Sequence, residues 1–232
     1  MIAVTGLAKS YDSRHVLQNL SLSVDAGEVA LLIGANGCGK STTLRLLAGL
    51  TTPDAGRIVL AGHDAGVDPV AARAGLSFLP QSPRFHERLT VAQILTFYAR
   101  LRGLPASRVD IVAERWGLTE HLRVQTGRLS GGTRQRLGVA VLDLPDAPIL
   151  VLDEPSLSLD PDWRQALQDH LRRVAAAGRT VLVATHLLGE WNGQADRCLV
   201  IDKGHVEREV PAERLRDAFP FACPQPAVAG IA

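Results

Sequence analysis

Residues 34–41 read Gly34-Ala35-Asn36-Gly37-Cys38-Gly39-Lys40-Ser41 and fit the pattern G-x-x-x-x-G-K-[ST] in full. They follow an apolar run at residues 29–33 that predicts a strand, and they open a helical pattern at residues 40–50. In such a loop, glycines let successive N–H groups point at phosphate oxygens, and the helix N-terminus adds a positive partial charge. We therefore expect Lys40 to reach the β- and γ-phosphates of a nucleotide and Ser41 to give its hydroxyl to Mg²⁺.

Two carboxylates, Asp153 and Glu154, follow a second apolar run at residues 149–152. A buried parallel strand would deliver both at its C-terminal end, where open parallel sheets bind ligands. Asp153 can then hold Mg²⁺ through its water shell, and Glu154 can orient and deprotonate an attacking water. Taken alone, an apolar run ending in Asp-Glu is usually a strand that enters a turn. When a phosphate-binding loop is also present, the same Asp-Glu pattern indicates a site of nucleotide hydrolysis.

The rest of the chain alternates short β-branched runs with helical periodicity, which predicts an α/β fold with a parallel sheet. Predicted strands cover residues 2–5, 20–24, 28–33, 57–60, 76–79, 149–152, 180–184 and 198–201. Predicted helices cover residues 40–50, 91–103, 131–142 and 163–177. Residues 83–145 carry helical patterns and no convincing strand, so we expect a helical lobe inserted between sheet strands. We expect one domain over residues 1–219 and an irregular, proline-rich tail over residues 220–232.

Composition sets limits on the function. Of the 232 residues, 46% are hydrophobic and 21% charged, and the net charge of +1 does not call for nucleic acid as a partner. No apolar run approaches the roughly 20 residues that span a bilayer, and the first residues do not resemble a signal peptide. The three cysteines, Cys38, Cys198 and Cys223, lack metal-ligand spacing. We expect a soluble, cytoplasmic chain that needs a partner if it works at a membrane.

One further motif makes the interpretation specific. The segment Leu129-Ser130-Gly131-Gly132-Thr133-Arg134-Gln135-Arg136 strongly resembles the signature motif of ATP-binding cassette (ABC) proteins, and it precedes the Asp-Glu strand at the family's usual spacing. Small residues that open a helix form a second anion site, although Ser-Gly-Gly before a helix can also be a simple N-cap. The resemblance implies that each signature caps the ATP held on a partner's phosphate loop, so that two chains sandwich two nucleotides.

Other landmarks of the family follow in order. Tyr11 occupies the place of the aromatic that stacks on adenine, and Gln81 looks like the glutamine that contacts Mg²⁺ and the attacking water. Asp160 is similar to the aspartate of the loop that crosses the dimer interface, and His186 to the switch histidine that hydrogen-bonds the γ-phosphate. Three of these have a plainer alternative: Tyr11 as an aromatic in a turn, Gln81 as a surface glutamine and His186 as a structural histidine.

The resemblance thus implies a P-loop NTPase fold: a RecA-like core with a mixed parallel sheet, an antiparallel β edge and an inserted α-helical subdomain at about residues 83–145. It implies catalytic roles for Glu154, His186 and Gln81, and Mg²⁺ contacts through Ser41, Gln81 and Asp153. The nucleotide contacts that it implies are Tyr11, Gly34, Asn36, Gly37, Cys38, Gly39, Lys40, Ser41, Thr42, Ser130, Gly131, Gly132 and Asp160.

As a function, the resemblance implies the ATP-binding and hydrolysing subunit of a transporter. Its partners would be an integral membrane permease subunit and a second ABC ATPase subunit, most simply another copy of this chain, at the cytoplasmic face of a bacterial inner membrane. Residues 89–105 are similar to the helical lobe of export-type cassettes, including haem and multidrug exporters, which favours export. The alternatives are soluble cassette proteins of DNA repair, chromosome structure or translation, and cassettes that serve complex assembly.

Two positions depart from the usual family pattern. Thr133 stands where many signatures carry glutamine, and Cys38 stands where the phosphate loop more often has alanine or serine. A thiol beside amide N–H groups, Lys40 and a helix N-terminus can have a lowered pKa and react as a thiolate. The other interpretation is that Cys38 is a small residue whose sulfur is turned inward and is inert.

Overall fold

The chain forms two β-sheets and a helical lobe in the computed structural model, which describes residues 1–186, 188–191 and 193–211. The strands are β1 (Ile2–Tyr11), β2 (Arg14–Val24), β3 (Val29–Ile33), β4 (Ala55–Leu60), β5 (His63–Asp64), β6 (Leu76–Leu79), β7 (Ile149–Asp153), β8 (Thr180–Ala184), β9 (Arg197–Asp202) and β10 (His205–Pro211). The helices are α1 (Lys40–Leu47), α2 (Pro69–Ala74), α3 (Val91–Leu101), α4 (Ser107–Arg115), α5 (Gly131–Asp143) and α6 (Pro161–Ala176). The predicted tail, with Cys223, lies outside the described residues.

The larger sheet has the order β10-β9-β3-β8-β7-β6. All its neighbours are parallel except β10, which runs antiparallel to β9. Every residue of β3, β7 and β8 is buried, as expected of parallel strands covered on both faces. Their C-terminal ends meet at one edge of the sheet. The phosphate loop, the Asp-Glu pair and His186 therefore leave neighbouring strands on the same side of the molecule.

The smaller sheet is antiparallel, with the order β2-β1-β4-β5, and forms the predicted β edge. The β1–β2 hairpin closes on a pair between Tyr11 and Arg14. The sequence predicts only residues 2–5 and 20–24 of this hairpin as strand. The structure extends both strands, because pairing between the strands holds residues whose polarity alone indicates a loop. For the same reason the sequence does not predict β5 and β10 as strands. It does not predict α2 and α4 either, because these short helices lack a long apolar period.

A helical lobe lies between β6 and β7 and contains α3, α4 and α5, in agreement with the predicted fold class. Thr90 begins α3 with a capping box: its hydroxyl accepts from the backbone N–H of Gln93, whose side chain accepts from the backbone of Thr90. Ser130 caps α5 by accepting from the backbone N–H of Thr133 at 3.1 Å. Asp160 caps α6 in the same way.

A buried polar cluster joins the lobe to the core. Asp143, at the end of α5, accepts hydrogen bonds from the Arg115 guanidinium at 2.6 Å and the Trp116 indole at 3.2 Å. The Nε2 atom of His170, on α6, lies 3.0 Å from Oδ1 of Asp143, although the pair is not aligned as a hydrogen bond. Burial alone would raise the pKa of the Asp143 carboxyl, but His170 and Arg115 outweigh it and hold that pKa below its ordinary value.

We expect Asp143→Ala to lower the free energy of unfolding by about 3 kcal/mol, the lower end of the range for breaking a buried pair. The lower end applies because the Arg115 side chain is 34% exposed and regains water, while Asp143 is 2% exposed. Urea unfolding measures this. Asp146→Ala is the matched control, because Asp146 also pairs with an arginine but is 73% exposed, so its loss should cost less than about 1 kcal/mol.

The contribution of Asp143 should also depend on pH. Because the folded-state pKa is lowered, the stabilisation is full above the ordinary aspartate pKa and is lost as pH falls through the folded-state value. The difference in unfolding free energy between wild type and Asp143→Ala should therefore shrink in acid. An equal difference at neutral pH and well below the ordinary aspartate pKa would contradict this assignment.

Candidate functional site

The phosphate loop connects β3 to α1, as predicted. Gly37 and Gly39 have φ angles of 80° and 117°, a region that disfavours side chains, and a Cβ on Gly39 would come within 2.6 Å of Leu17. The ammonium of Lys40 donates to the carbonyl oxygens of Gly34 at 2.7 Å and Ala35 at 3.2 Å. Lys40 is thus folded over a loop whose backbone is free to approach a ligand closely.

A cavity of about 420 Å³ opens over this loop. Besides the loop residues Asn36, Gly37, Gly39, Lys40, Ser41 and Thr42, its lining contains Tyr11, Arg14, Val16, Gln81, Asp153 and Glu154. The structure therefore brings the predicted aromatic, glutamine and carboxylates to the predicted loop. Arg14 and Val16 were not predicted as site residues. Their position follows from the hairpin register, for which the sequence gives no clear signal.

Asp153 is buried and close to Ser41. Burial raises the pKa of its carboxyl, the charge of Glu154 raises it further, and a hydrogen bond from Ser41 opposes the rise. Its Oδ1 atom has no hydrogen-bond partner among the described residues. A buried carboxylate oxygen beside a hydroxyl fits a hard cation such as Mg²⁺.

The described part of the chain holds no group of three or more His, Cys, Asp and Glu side chains arranged to hold a metal ion. Mg²⁺ usually keeps several waters and binds through one or two protein oxygens together with substrate phosphates. Ser41 and Asp153 suit that kind of site better than a cage built from protein ligands alone.

Glu154 and His186 lie together at the ends of β7 and β8. The Oε1 atom of Glu154 is 2.7 Å from Nδ1 of His186, and its Oε2 accepts from the Thr185 hydroxyl at 3.3 Å. The backbone of Glu154 has a φ of 47°, a left-handed conformation that is uncommon for this residue type. The N–H of Glu154 donates to the carbonyl of Ala184 at 2.8 Å and supports that conformation. Two of the three predicted catalytic groups, Glu154 and His186, are thus next to each other.

The signature-like residues lie elsewhere. Ser130 and Asp160 are exposed, and neither lines the nucleotide cavity. Gly131 lines a second cavity of about 480 Å³, which also contains Gln81, Arg84, Phe85 and Ser158. A Cβ on Gly132 would come within 2.8 Å of the Ser158 carbonyl, so the small residue is required by packing. The predicted second anion site, at the start of α5, therefore adds no residue to the nucleotide cavity of its own chain.

The side chain of Cys38 is buried, 7% exposed, and belongs to an apolar cluster beneath the loop. This geometry favours the interpretation of an inward, inert sulfur over that of an exposed thiolate. Cys198 is buried in β9, and burial raises the pKa of its thiol to about 12. Neither thiol is presented to solvent as a reactive nucleophile.

Comparison with known families and proteins gives consistent matches. The family model described as "ABC transporter" matches residues 17–157. The chain is 37% identical over 219 residues to the daunorubicin resistance ATP-binding protein DrrA3 of Streptomyces coeruleorubidus, covering 93% of this chain and 69% of that protein. It is 38% identical over 210 residues to the Nod factor export ATP-binding protein I of Ralstonia nicotianae, covering 88% of this chain and 65% of that protein. The chain thus spans about two thirds of these relatives.

Solved structures agree on the fold. The ATP-binding subunit of an ABC transporter superposes with a TM-score of 0.86 at 28% identity, covering 96% of this chain and 94% of that chain. A dimeric ATP-binding cassette, in a post-hydrolysis state with ADP and Pi, superposes with a TM-score of 0.85 at 22% identity. The match covers 91% of this chain and 99% of that chain. The two-sheet architecture with an inserted helical lobe is therefore that of these cassettes.

Proposed function

The chain belongs to the ABC transporter family as an ATP-binding subunit and ATPase, and we propose that it powers export through a separate integral membrane permease. The observation that carries the proposal is the cavity in which Lys40, Ser41, Asp153 and Glu154 converge. These residues supply a cation for phosphates, a metal-facing hydroxyl and carboxylate, and a base.

We assign the steps of hydrolysis to these side chains. Lys40 binds the β- and γ-phosphates, and the loop N–H groups hold their oxygens. Ser41 and Asp153 would hold Mg²⁺, which would supply positive charge to the developing negative charge on the phosphates. Glu154 accepts the proton of the attacking water, which Gln81 helps to position. His186, whose Nδ1 atom lies 2.7 Å from Glu154, hydrogen-bonds the γ-phosphate in this assignment.

Two chains are needed for a complete site in this proposal. Ser130, Gly131 and Gly132 lie at the start of α5, where backbone N–H groups have no partner within the helix, yet none of the three lines the nucleotide cavity of its own chain. In a pair of chains they cap the nucleotide on the partner's phosphate loop, and Asp160 lies at the interface. The simplest pair is a homodimer, since one chain carries both halves of the site.

A membrane partner is proposed on separate grounds. Over the described residues no helix is long and apolar enough to cross a membrane. The relatives named for Nod factor export and daunorubicin resistance favour export, and favour transport over DNA repair, translation or complex assembly. The second cavity, beside Gln81, suits a cytoplasmic helix of the permease, which would hold the chain at the cytoplasmic face of a bacterial inner membrane.

Affinity capture from detergent-solubilised membranes tests this proposal. The tagged chain should bring down a protein with several membrane-spanning helices, identified by mass spectrometry. Arg84→Glu, in the second cavity, should weaken the capture by reversing a charge at the proposed contact. Arg123→Glu should not, because Arg123 is exposed and lies outside that cavity. Recovery of the chain only with soluble proteins or nucleic acid would contradict the transport function.

A further inference from the structure

The nucleotide cavity contains a second cation, Arg14, in addition to Lys40. Arg14 is the first residue of β2 and pairs directly with Tyr11, the last residue of β1. Side chains directly opposite each other in an antiparallel pair lie on the same face of the sheet. The Tyr11 ring and the Arg14 guanidinium therefore line the cavity side by side.

The guanidinium lies against the phosphate loop. Its Nη2 atom donates to the carbonyl oxygen of Gly37 at 3.4 Å, and a Cβ on Gly37 would be 3.3 Å from the same nitrogen. A hydrogen bond of this length is weak, so a ligand can replace it at little cost. No carboxylate of the described residues pairs with Arg14, whereas the nearby Lys9 is held by Asp54 at 2.8 Å.

The charged side chains that line the cavity indicate a role for Arg14 in binding an anionic ligand. Two cationic side chains, Arg14 and Lys40, face two acidic ones, Asp153 and Glu154. Without Arg14 the lining would be net negative, which disfavours an anionic nucleotide. If Tyr11 stacks on the base and Lys40 takes the distal phosphates, the ribose and the α-phosphate must lie between them, where the Arg14 guanidinium is. A planar guanidinium with five donors is suited to phosphate oxygens.

We propose that Arg14 binds the phosphate chain of the nucleotide at its ribose end and sets the affinity for nucleoside di- and triphosphates. The inference rests on the proposed use of this cavity. Arg14 acts on binding, because it is far along the nucleotide from the water that Glu154 deprotonates. Its loss should therefore raise KM for ATP and leave kcat unchanged.

Calorimetric titration of ADP, which avoids turnover, tests the role of Arg14. Arg14→Gln should raise the Kd of ADP about tenfold, the loss expected from one charge-assisted hydrogen bond that is partly exposed to water. Adenosine, measured by competition, should bind as it does to wild type, because it lacks phosphate. Arg14→Lys keeps the positive charge but lacks the planar guanidinium, so its Kd for ADP should lie between those of wild type and Arg14→Gln. Arg123→Gln, an exposed arginine outside the cavity, should match wild type.

Two results would overturn the role of Arg14: an unchanged Kd for ADP in Arg14→Gln, or an equal loss of ADP and adenosine affinity. Lys40→Ala separates this inference from the proposed site. If Lys40→Ala weakens ADP binding and Arg14→Gln does not, only the role of Arg14 fails. If Lys40→Ala binds ADP as tightly as wild type does, the nucleotide site itself is wrongly placed.

Discussion

Replacing Glu154 by Gln is expected to slow ATP turnover by about 10²–10⁴-fold, the contribution of a positioned general base, while ATP binding is preserved. The amide keeps the size of the carboxylate and can still accept from Thr185, which donates to Oε2 at 3.3 Å. It cannot take the proton of the attacking water. A phosphate-release assay at saturating ATP measures the loss, and titration with ATP measures the retained affinity.

Glu114→Gln provides the matched control for this prediction. Glu114 is exposed on α4 and does not line the nucleotide cavity, so the same change of charge there should leave turnover at the wild-type rate. Wild-type turnover by Glu154→Gln would remove Glu154 from the role of base. Loss of both binding and turnover would indicate damage to the fold.

Ser130→Arg is expected to reduce turnover by about 10²-fold or more, because chains that cannot close leave each site without the groups that the partner directs at the developing charge. A long cationic side chain at the exposed start of α5 would crowd the partner's γ-phosphate and prevent the two chains from closing. The phosphate loop of each monomer is untouched, so ATP should still bind. Lys40→Ala should differ, because it removes the cation that faces the β- and γ-phosphates and so weakens binding itself.

The helix cap requires its own control. The Ser130 hydroxyl accepts from the Thr133 N–H at 3.1 Å, and loss of such a cap costs about 1 kcal/mol. Ser130→Ala loses the cap without crowding the surface, so it should retain far more activity than Ser130→Arg. If Ser130→Arg hydrolyses ATP at the wild-type rate, a site shared between two chains is excluded.

The parts of the fold that the sequence predicts best are those that depend on local signals. β3, β7 and β8 are short runs of buried apolar residues, and α5 begins at a serine cap. The glycines around Lys40 reveal the phosphate loop because its conformation requires them. For these elements the pattern of residue types and the structure agree to within about two residues at each end.

Other features depend on which strands become neighbours. Glu154 and His186 are 32 residues apart and meet at 2.7 Å because β7 pairs with β8. The cluster around Asp143 likewise needs α5 and α6 to pack together. Arg14 reaches the cavity only through the register of a hairpin whose tip is polar. Such contacts are set by long-range pairing, and the one-dimensional pattern of hydrophobicity carries little information about them.

We propose that ATP joins two chains through composite sites, and sedimentation velocity of Glu154→Gln tests this most directly. This variant should be a monomer without nucleotide and a dimer with ATP, because slow hydrolysis preserves the sandwich and the amide removes negative charge near the interface. Glu154→Gln combined with Ser130→Arg should bind ATP and remain a monomer. A monomeric Glu154→Gln at saturating ATP, or a dimer of the double variant, would contradict the account.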